Sequence, residues 1–187
     1  MKAAVVYSTL TGNTKKVAEA FKLGLGEGAE LFDVKDAPDV SACDLVVMGF
    51  WVDRGHPDQK SMDFMKTVSG KKVFSLFTLG AKPTSAHAWK CAYTAASFYG
   101  EGCEQIGTWF CQGAIDPKLI ERMRQMPAGG PHSATPENEA RWAAAASHPD
   151  AADLDSAAEA AKAVRQIVTG EDPYAELKAK MAAEAKG

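Results

Sequence analysis

An α/β fold on a doubly wound parallel sheet follows from three observations. The chain opens on Ala3-Ala4-Val5-Val6-Tyr7, a short apolar β-prone run that passes through seven hydroxyl, Gly and Asn-rich residues into an amphipathic helix bearing Val17, Phe21 and Leu25 on one face. Residues 44–50 and 72–79 are near-continuous apolar runs, the pattern of strands buried on both faces. Strand and helix signals then alternate as βαβαβαβαβ, which calls for right-handed crossovers and helices on both sides of one sheet.

The elements follow in order. The glycines of Gly24-Leu25-Gly26-Glu27-Gly28-Ala29 match a dinucleotide fingerprint in spacing alone. They end a helix and precede a strand at 30–34, whereas the fingerprint must follow a strand and open a helix. They therefore read as a helix terminus and turn. Residues 36–39 form a polar turn, 44–50 the central strand and 51–58 a long loop. A helix with Met62, Met65 and Val68 leads to the strand at 72–79, the loop at 80–85 and a helix carrying Ala88, Cys91, Ala92, Ala95 and Phe98. The fifth strand is 104–111.

Residues 114–150 are then a helical insertion, with Leu119, Ile120 and Met123 on a first helix and a turn at 126–131. Thr135 serves as N-cap, with Pro136 at the first helical position of a second helix that carries Arg141 and Trp142. The closing helix spans 151–169, turning Leu154, Ala158, Ala161, Val164 and Val168 to the sheet and ending at Gly170. Asp172 begins a last helix, 173–185, with a thin apolar stripe of Tyr174, Leu177 and Met181. We divide the chain into one domain, 1–170, and a C-terminal helical extension, 171–187.

Composition narrows the function classes. With 21 basic and 24 acidic residues the net charge is −3 and no long basic run occurs, so no nucleic-acid surface is indicated. Cys43, Cys91, Cys103 and Cys111 lack CxxC spacing and read as reduced thiols. His56, His87, His132 and His148 are too scattered for a metal site. No apolar run reaches membrane-span length and the N-terminus carries no signal peptide, so a cytoplasmic protein is expected.

The first loop carries the chemistry. Ser8-Thr9-Leu10-Thr11-Gly12-Asn13-Thr14 joins a strand to a helix N-terminus, where amides without intrahelical partners and the positive end of the helix dipole meet hydroxyl side chains. This is a socket for a phosphate. A Walker loop would need Gly-Lys-Ser/Thr, a tyrosine-phosphatase loop would need Cys and Arg, and a receiver domain would need acids closing the first strand. None of these is present. The pattern Ser8-Thr9-x-Thr11-Gly12-Asn13-Thr14 resembles the flavin mononucleotide (FMN) phosphate loop of the flavodoxin family.

That resemblance implies strand order 2-1-3-4-5, a three-layer flavodoxin-like fold and FMN as cofactor. It puts the flavin ring between the second and third loops. Phe50-Trp51-Val52-Asp53-x-Gly55 resembles the Trp-Gly-Asp-Gly loop of the family, departing at Val52 and Arg54. Trp51 becomes the stacking residue and Gly55 the peptide that turns toward the ring. Thr78-Leu79-Gly80-Ala81 would run along the pyrimidine edge, and Cys111-Gln112-Gly113 would face the site, although Cys111 also reads as the last core residue of its strand. His56 and His87 border this ring pocket.

Gly49–Gly55, 78–83, 111–117, Pro131-His132-x-x-Thr135-Pro136-Glu137 and His148-Pro149-Asp150 together are similar to flavodoxin-like proteins of anaerobic gut bacteria, including the partner of bilirubin reductase. The resemblance implies an electron carrier between a reductase and a terminal flavoenzyme, acting as a monomer or weak homodimer, with no catalytic acid or base. Two alternatives stay open. One is an NAD(P)H-dependent quinone or small-molecule reductase, or a protoporphyrinogen-oxidising enzyme; the other is a flavin-free interaction protein.

Overall fold

The computed structural model describes residues 1–127, 129–130 and 133–171. Five parallel strands form the sheet: β1 (Ala3–Tyr7), β2 (Ala29–Asp33), β3 (Leu45–Asp53), β5 (Lys72–Leu79) and β6 (Glu104–Gln112), in spatial order β2-β1-β3-β5-β6. This is the doubly wound order that the family resemblance implied. β4 (His56–Pro57) is a two-residue strand that pairs antiparallel with the end of β3. The helices are α1 (Asn13–Leu25), α2 (Gln59–Thr67), α3 (Ala86–Ala96), α4 (Pro117–Arg124), α5 (Pro136–Ala145) and α6 (Ala151–Thr169). No described helix is long and apolar enough to cross a membrane.

Alternation along the strands sends successive side chains to opposite layers. Ala3, Val5, Leu45, Val47 and Leu76 join Val17, Phe21 and Leu25 of α1 and Ala157, Ala161 and Val164 of α6. Ala4, Val6, Val46, Met48, Phe50 and Phe77 join Phe64 and Met65 of α2 and Ala88, Cys91, Ala92 and Ala95 of α3. On this second side Phe50, Phe77 and Phe110 stack in a row, with centroids 4.9 and 4.6 Å apart. Trp89 of α3 closes the row edge-on to Phe110 at 5.1 Å.

Several details depart from the sequence reading. Residues 51–58 are not an open loop. β3 runs on to Asp53, turns at Arg54 and Gly55, and returns so that Val52 faces Pro57 and Asp53 faces His56. Both turn residues have positive φ, 51° and 88°, the geometry of a type I′ hairpin. Arg-Gly lacks the usual Asn-Gly or Asp-Gly signature, and Pro57 argues against a strand, so the local signal was weak. Arg54→Asn is expected to raise stability by about 0.5 kcal/mol in urea unfolding, because Asn tolerates the left-handed region that strains Arg. No gain would mean that the turn relaxes without cost.

α2 turns Ser61, Phe64 and Met65 inward, with Val68 buried just beyond its end. Met62 is only partly buried. On α6 Ala157 is buried beside Ala161 and Val164, whereas Ala158 is only partly buried. Asp116 caps α4 and Thr135 caps α5, each followed by Pro at the first helical turn. Arg124 then ties the two helices with a bidentate bond to Glu139, both contacts at 2.7 Å. The helix read at 173–185 lies outside the described residues, as do Ala128, Pro131 and His132 of the insertion.

Candidate functional site

The carboxyl ends of β1, β3, β5 and β6 meet the N-terminus of α1, which is where ligands sit in open α/β sheets. Gly12, with φ of 92°, is the N-cap of α1, and its N–H donates to Thr9 Oγ1 at 3.0 Å. Its carbonyl takes the first helical bond, from Lys16 N–H. The amides of Asn13, Thr14 and Lys15 therefore have no acceptor within the helix. Thr9 and Thr11 both receive hydrogen bonds at Oγ1, Thr11 from Asn13 Nδ2 at 3.1 Å, so each keeps its own hydroxyl proton to donate. Leu10 projects outward, 62% exposed.

The other side chains of the loop are already engaged. Ser8 is buried, with its N–H on the Gly49 carbonyl and its hydroxyl donating to Asp58 Oδ1 at 2.8 Å. Thr14 Oγ1 pairs with Thr78 Oγ1 at 3.0 Å. Asn13 Nδ2 also donates to the Ala114 carbonyl at 2.8 Å, tying α1 to the start of the insertion. Four free hydroxyl donors were expected in this loop. Two are found, because Ser8 and Thr14 serve the surrounding frame.

Asp58 was not singled out by sequence reasoning. It is 4% exposed, caps α2, and accepts from Ser8 Oγ, Ser61 Oγ at 2.6 Å and Ser61 N–H. Its one sequence signal is an Asp directly ahead of a helical pattern.

The second and third segments divide by strand alternation. Trp51, paired in register with Thr78, falls on the α1 side with Tyr7 and Gly49 and is partly exposed. Phe50 falls on the other side with no exposure, stacked on Phe77. Its side chain is a core group and cannot line the site. Val52 packs against that same core, while Asp53 and Gly55 sit at the hairpin tip. A Cβ built on Gly55 would lie 3.8 Å from His87 Cε1, so α3 and the hairpin adjoin. His56 is exposed and packs edge-on to Phe98.

Leu79 and Ala81 pack into the α2–α3 core. A Cβ on Gly80 would stand 2.7 Å from Ile115 Cγ1, so any larger residue there would have to displace the Ile115 side chain. Gly113 donates its N–H to the Leu79 carbonyl, and a Cβ there would approach Asn13 Nδ2 and Thr78 Cβ at 3.2 Å. Gln112 Nε2 reaches the Gly80 carbonyl at 3.4 Å. Gly80 and Gly113 thus let the loops after β5 and β6 close on one another and on α1.

Cys111 is a core residue, 2% exposed. Burial, with the nearby Asp153 and Asp150 charges adding, pushes its thiol well above the ordinary cysteine range. It is a protonated packing group rather than a nucleophile. Because the folded state raises this pKa, the contribution to stability is complete below the pKa of the unfolded thiol and is lost progressively as pH rises from there toward the folded value. Cys111 is expected to resist alkylation at pH 8 until denaturant is added. Prompt labelling of the native protein at that position would contradict the packing described. His148, Asp150 and Asp153 bring ligand atoms within 4.8 Å of one another, but Asp150 and Asp153 are engaged in the reciprocal capping of α6.

The flavodoxin domain family matches residues 4–162. The chain belongs to that family. It is 31% identical over 130 residues to the flavodoxin-like domain-containing protein BilS of Clostridioides difficile, covering 67% of this chain and 74% of the relative. It is 28% identical over 173 residues to BilS of Clostridium symbiosum, covering 82% and 90%. In fold it is similar to oxidised flavodoxin 2 from Bacillus cereus, with TM-score 0.51 and 16% identity over 86% of this chain and 95% of that one.

As a flavodoxin-family protein, the chain can be tested for fit to a phosphate-bearing flavin on its own geometry. Open space surrounds the Cβ position of Gly12, three helix-start amides lie beside it, and Thr9 and Thr11 retain donor protons. No lysine or arginine is part of the loop itself. The donor set is neutral and fits a dianion held by amides and hydroxyls.

Proposed function

We propose that this chain binds FMN within residues 1–170 and carries electrons between a reductase and a terminal flavoenzyme. The observation that supports it most is the loop 8–14, where the α1 amides of Asn13, Thr14 and Lys15 and the hydroxyls of Thr9 and Thr11 stand free to hold the phosphate. Bound FMN would supply the redox chemistry. The chain's own residues bind and orient it. Trp51, in register with Thr78 at the end of β3, would cover one ring face and exclude water, and the 78–81 and 112–113 backbone, joined by the Gly113 N–H to the Leu79 carbonyl, would border the polar edge. Cys111, kept protonated in the core, offers no reactive thiol, in keeping with a carrier.

The motif set 111–117 and 135–137, which resembles that of the flavodoxin-like partner of bilirubin reductase, is the ground for proposing a place in bilirubin reduction, and the two flavodoxin-like BilS relatives are consistent with a redox role of this kind. The experiment is to add FMN to cofactor-free protein and follow its fluorescence. Quenching with 1:1 stoichiometry is expected, and Thr9→Ala/Thr11→Ala should weaken binding by about thirty- to a hundred-and-fifty-fold, at roughly 1–1.5 kcal/mol per lost hydroxyl bond. Unquenched FMN would end the proposal. Rapid bleaching of the FMN-loaded protein by NAD(P)H alone would favour the reductase alternative instead.

A further inference from the structure

Helix α3 carries an exposed aromatic pair within a stretch of sequence that holds lysines and no acidic residue. Trp89 is 60% and Tyr93 86% exposed, four residues apart on one helix face. Between Phe64 and Gly100 the chain has no Asp or Glu in 37 residues, but five lysines, although the whole protein is net negative. Two of those lysines belong to this region. Lys90 lies on α3 beside the pair, Lys82 lies in the loop that leads into the helix, and neither forms an ion pair among the described residues.

Exposed large aromatics are costly to leave in water and are the residues that anchor interfaces. Trp89 is also held in place. Its ring stands at 83° to Phe110, which is stacked on Phe77 and through it on Phe50. An anchor already oriented by the core loses little side-chain entropy on binding. The face also adjoins the site, because the 78–81 segment leads through Lys82 into α3 and His87 of its first turn reaches Gly55 of the hairpin.

We propose that the outer face of α3, with Trp89, Tyr93, Lys90 and neighbouring Lys82, docks a redox-partner protein whose own surface is acidic around an apolar spot. The proposal rests on the carrier reading above. The cations set the partner's sign, since unpaired lysines attract carboxylates and repel a second cationic face, which disfavours a symmetric dimer through this helix. A membrane is the weaker match: two lysines give roughly 1 kcal/mol each toward an anionic bilayer, short of stable attachment. Two aromatic anchors within a charged rim suit the small, transient interfaces of electron-transfer pairs.

The test is amide chemical-shift mapping of the full ¹⁵N-labelled chain, with and without FMN, against zinc-substituted rubredoxin as a small acidic, diamagnetic probe and cytochrome c as a basic one. Shifts are expected around Lys82, Trp89, Lys90 and Tyr93 with the acidic probe only. Binding should weaken about tenfold or more as salt rises from millimolar to physiological strength, as screening requires. Lys82→Glu/Lys90→Glu and, separately, Trp89→Ala/Tyr93→Ala should each lower affinity at least about tenfold while leaving FMN binding unchanged.

No binding of the acidic probe, or shifts centred elsewhere, would overturn the proposal. So would contacts between α3 and residues beyond 171 in the protein alone, a dimer lost in the aromatic variant, or cosedimentation with phosphatidylglycerol vesicles abolished by it. The FMN-free arm separates the two readings. Failure to bind FMN strikes the proposed function, whereas mapping to another face strikes only the docking surface.

Discussion

Gly24→Ala is expected to lower the unfolding free energy by about 3 kcal/mol and the melting temperature by roughly 9 °C, the reverse of what the substitution does in an isolated helix. Alanine favours a helix interior over glycine by about 1 kcal/mol. Gly24, however, lies where α1 crosses α6, and a Cβ built there stands 2.2 Å from the Ala158 carbonyl oxygen and 2.8 Å from its carbonyl carbon and Cα. The obstacle is backbone, so no rotamer change relieves it. The helices must separate by about an ångström, loosening the layer in which Val17, Phe21 and Leu25 pack with Ala157, Ala161 and Val164. Separation also stretches the bond from Arg165 Nη1 to the Leu25 carbonyl, 3.0 Å in the native protein. Thermal and urea unfolding of the single variant check this, and a melting temperature at or above that of the parent would show that the crossing yields cheaply.

The same glycine marks where sequence reasoning reaches its limit. Gly24 and Gly26 were legible as the end of a helix, since the dinucleotide context was wrong, and Gly26 does cap α1. That Gly24 faces another backbone depends on a helix more than a hundred residues away, which no local pattern encodes. The strands were legible for the opposite reason, because runs such as residues 44–50 carry their burial in composition. The loop at 8–14 was legible because its strand-to-helix context is local. The partners of its side chains were not. Ser8 is claimed by Asp58 and Thr14 by Thr78, pairings set by the fold rather than by spacing. The hairpin at Arg54 and Gly55 escaped because its turn residues are atypical. Phe50 and Trp51, read together as part of one cofactor-binding segment with Trp51 as its stacking residue, were separated by the pleat once the strand proved to continue through both.

Asp58→Ala is expected to cost about 4 kcal/mol, the largest effect of any single substitution discussed. The carboxylate caps α2, a term of about 1 kcal/mol, and it accepts from two hydroxyls, those of Ser8 and Ser61, that are themselves buried. Truncation leaves both donors without their acceptor, at about 1–3 kcal/mol each. Asp58→Asn separates position from charge. The amide oxygen can still cap α2 and accept one hydroxyl, so a smaller loss of about 1–2 kcal/mol is expected. Its effect on the ligand has the opposite sign. Ser8 stands between Asp58 and the loop where a dianionic phosphate is proposed to sit, so the native carboxylate opposes that charge. Removing it should tighten FMN binding by roughly 1 kcal/mol, about fivefold. Urea unfolding and fluorescence titration of both variants provide the check. A protein made less stable yet tighter for FMN by Asp58→Asn would show that this acid is retained to hold Ser8 and the start of α2, against its own electrostatic effect on the anion. Equal or weaker affinity would place the phosphate beyond the reach of Asp58 and would remove the electrostatic half of this account.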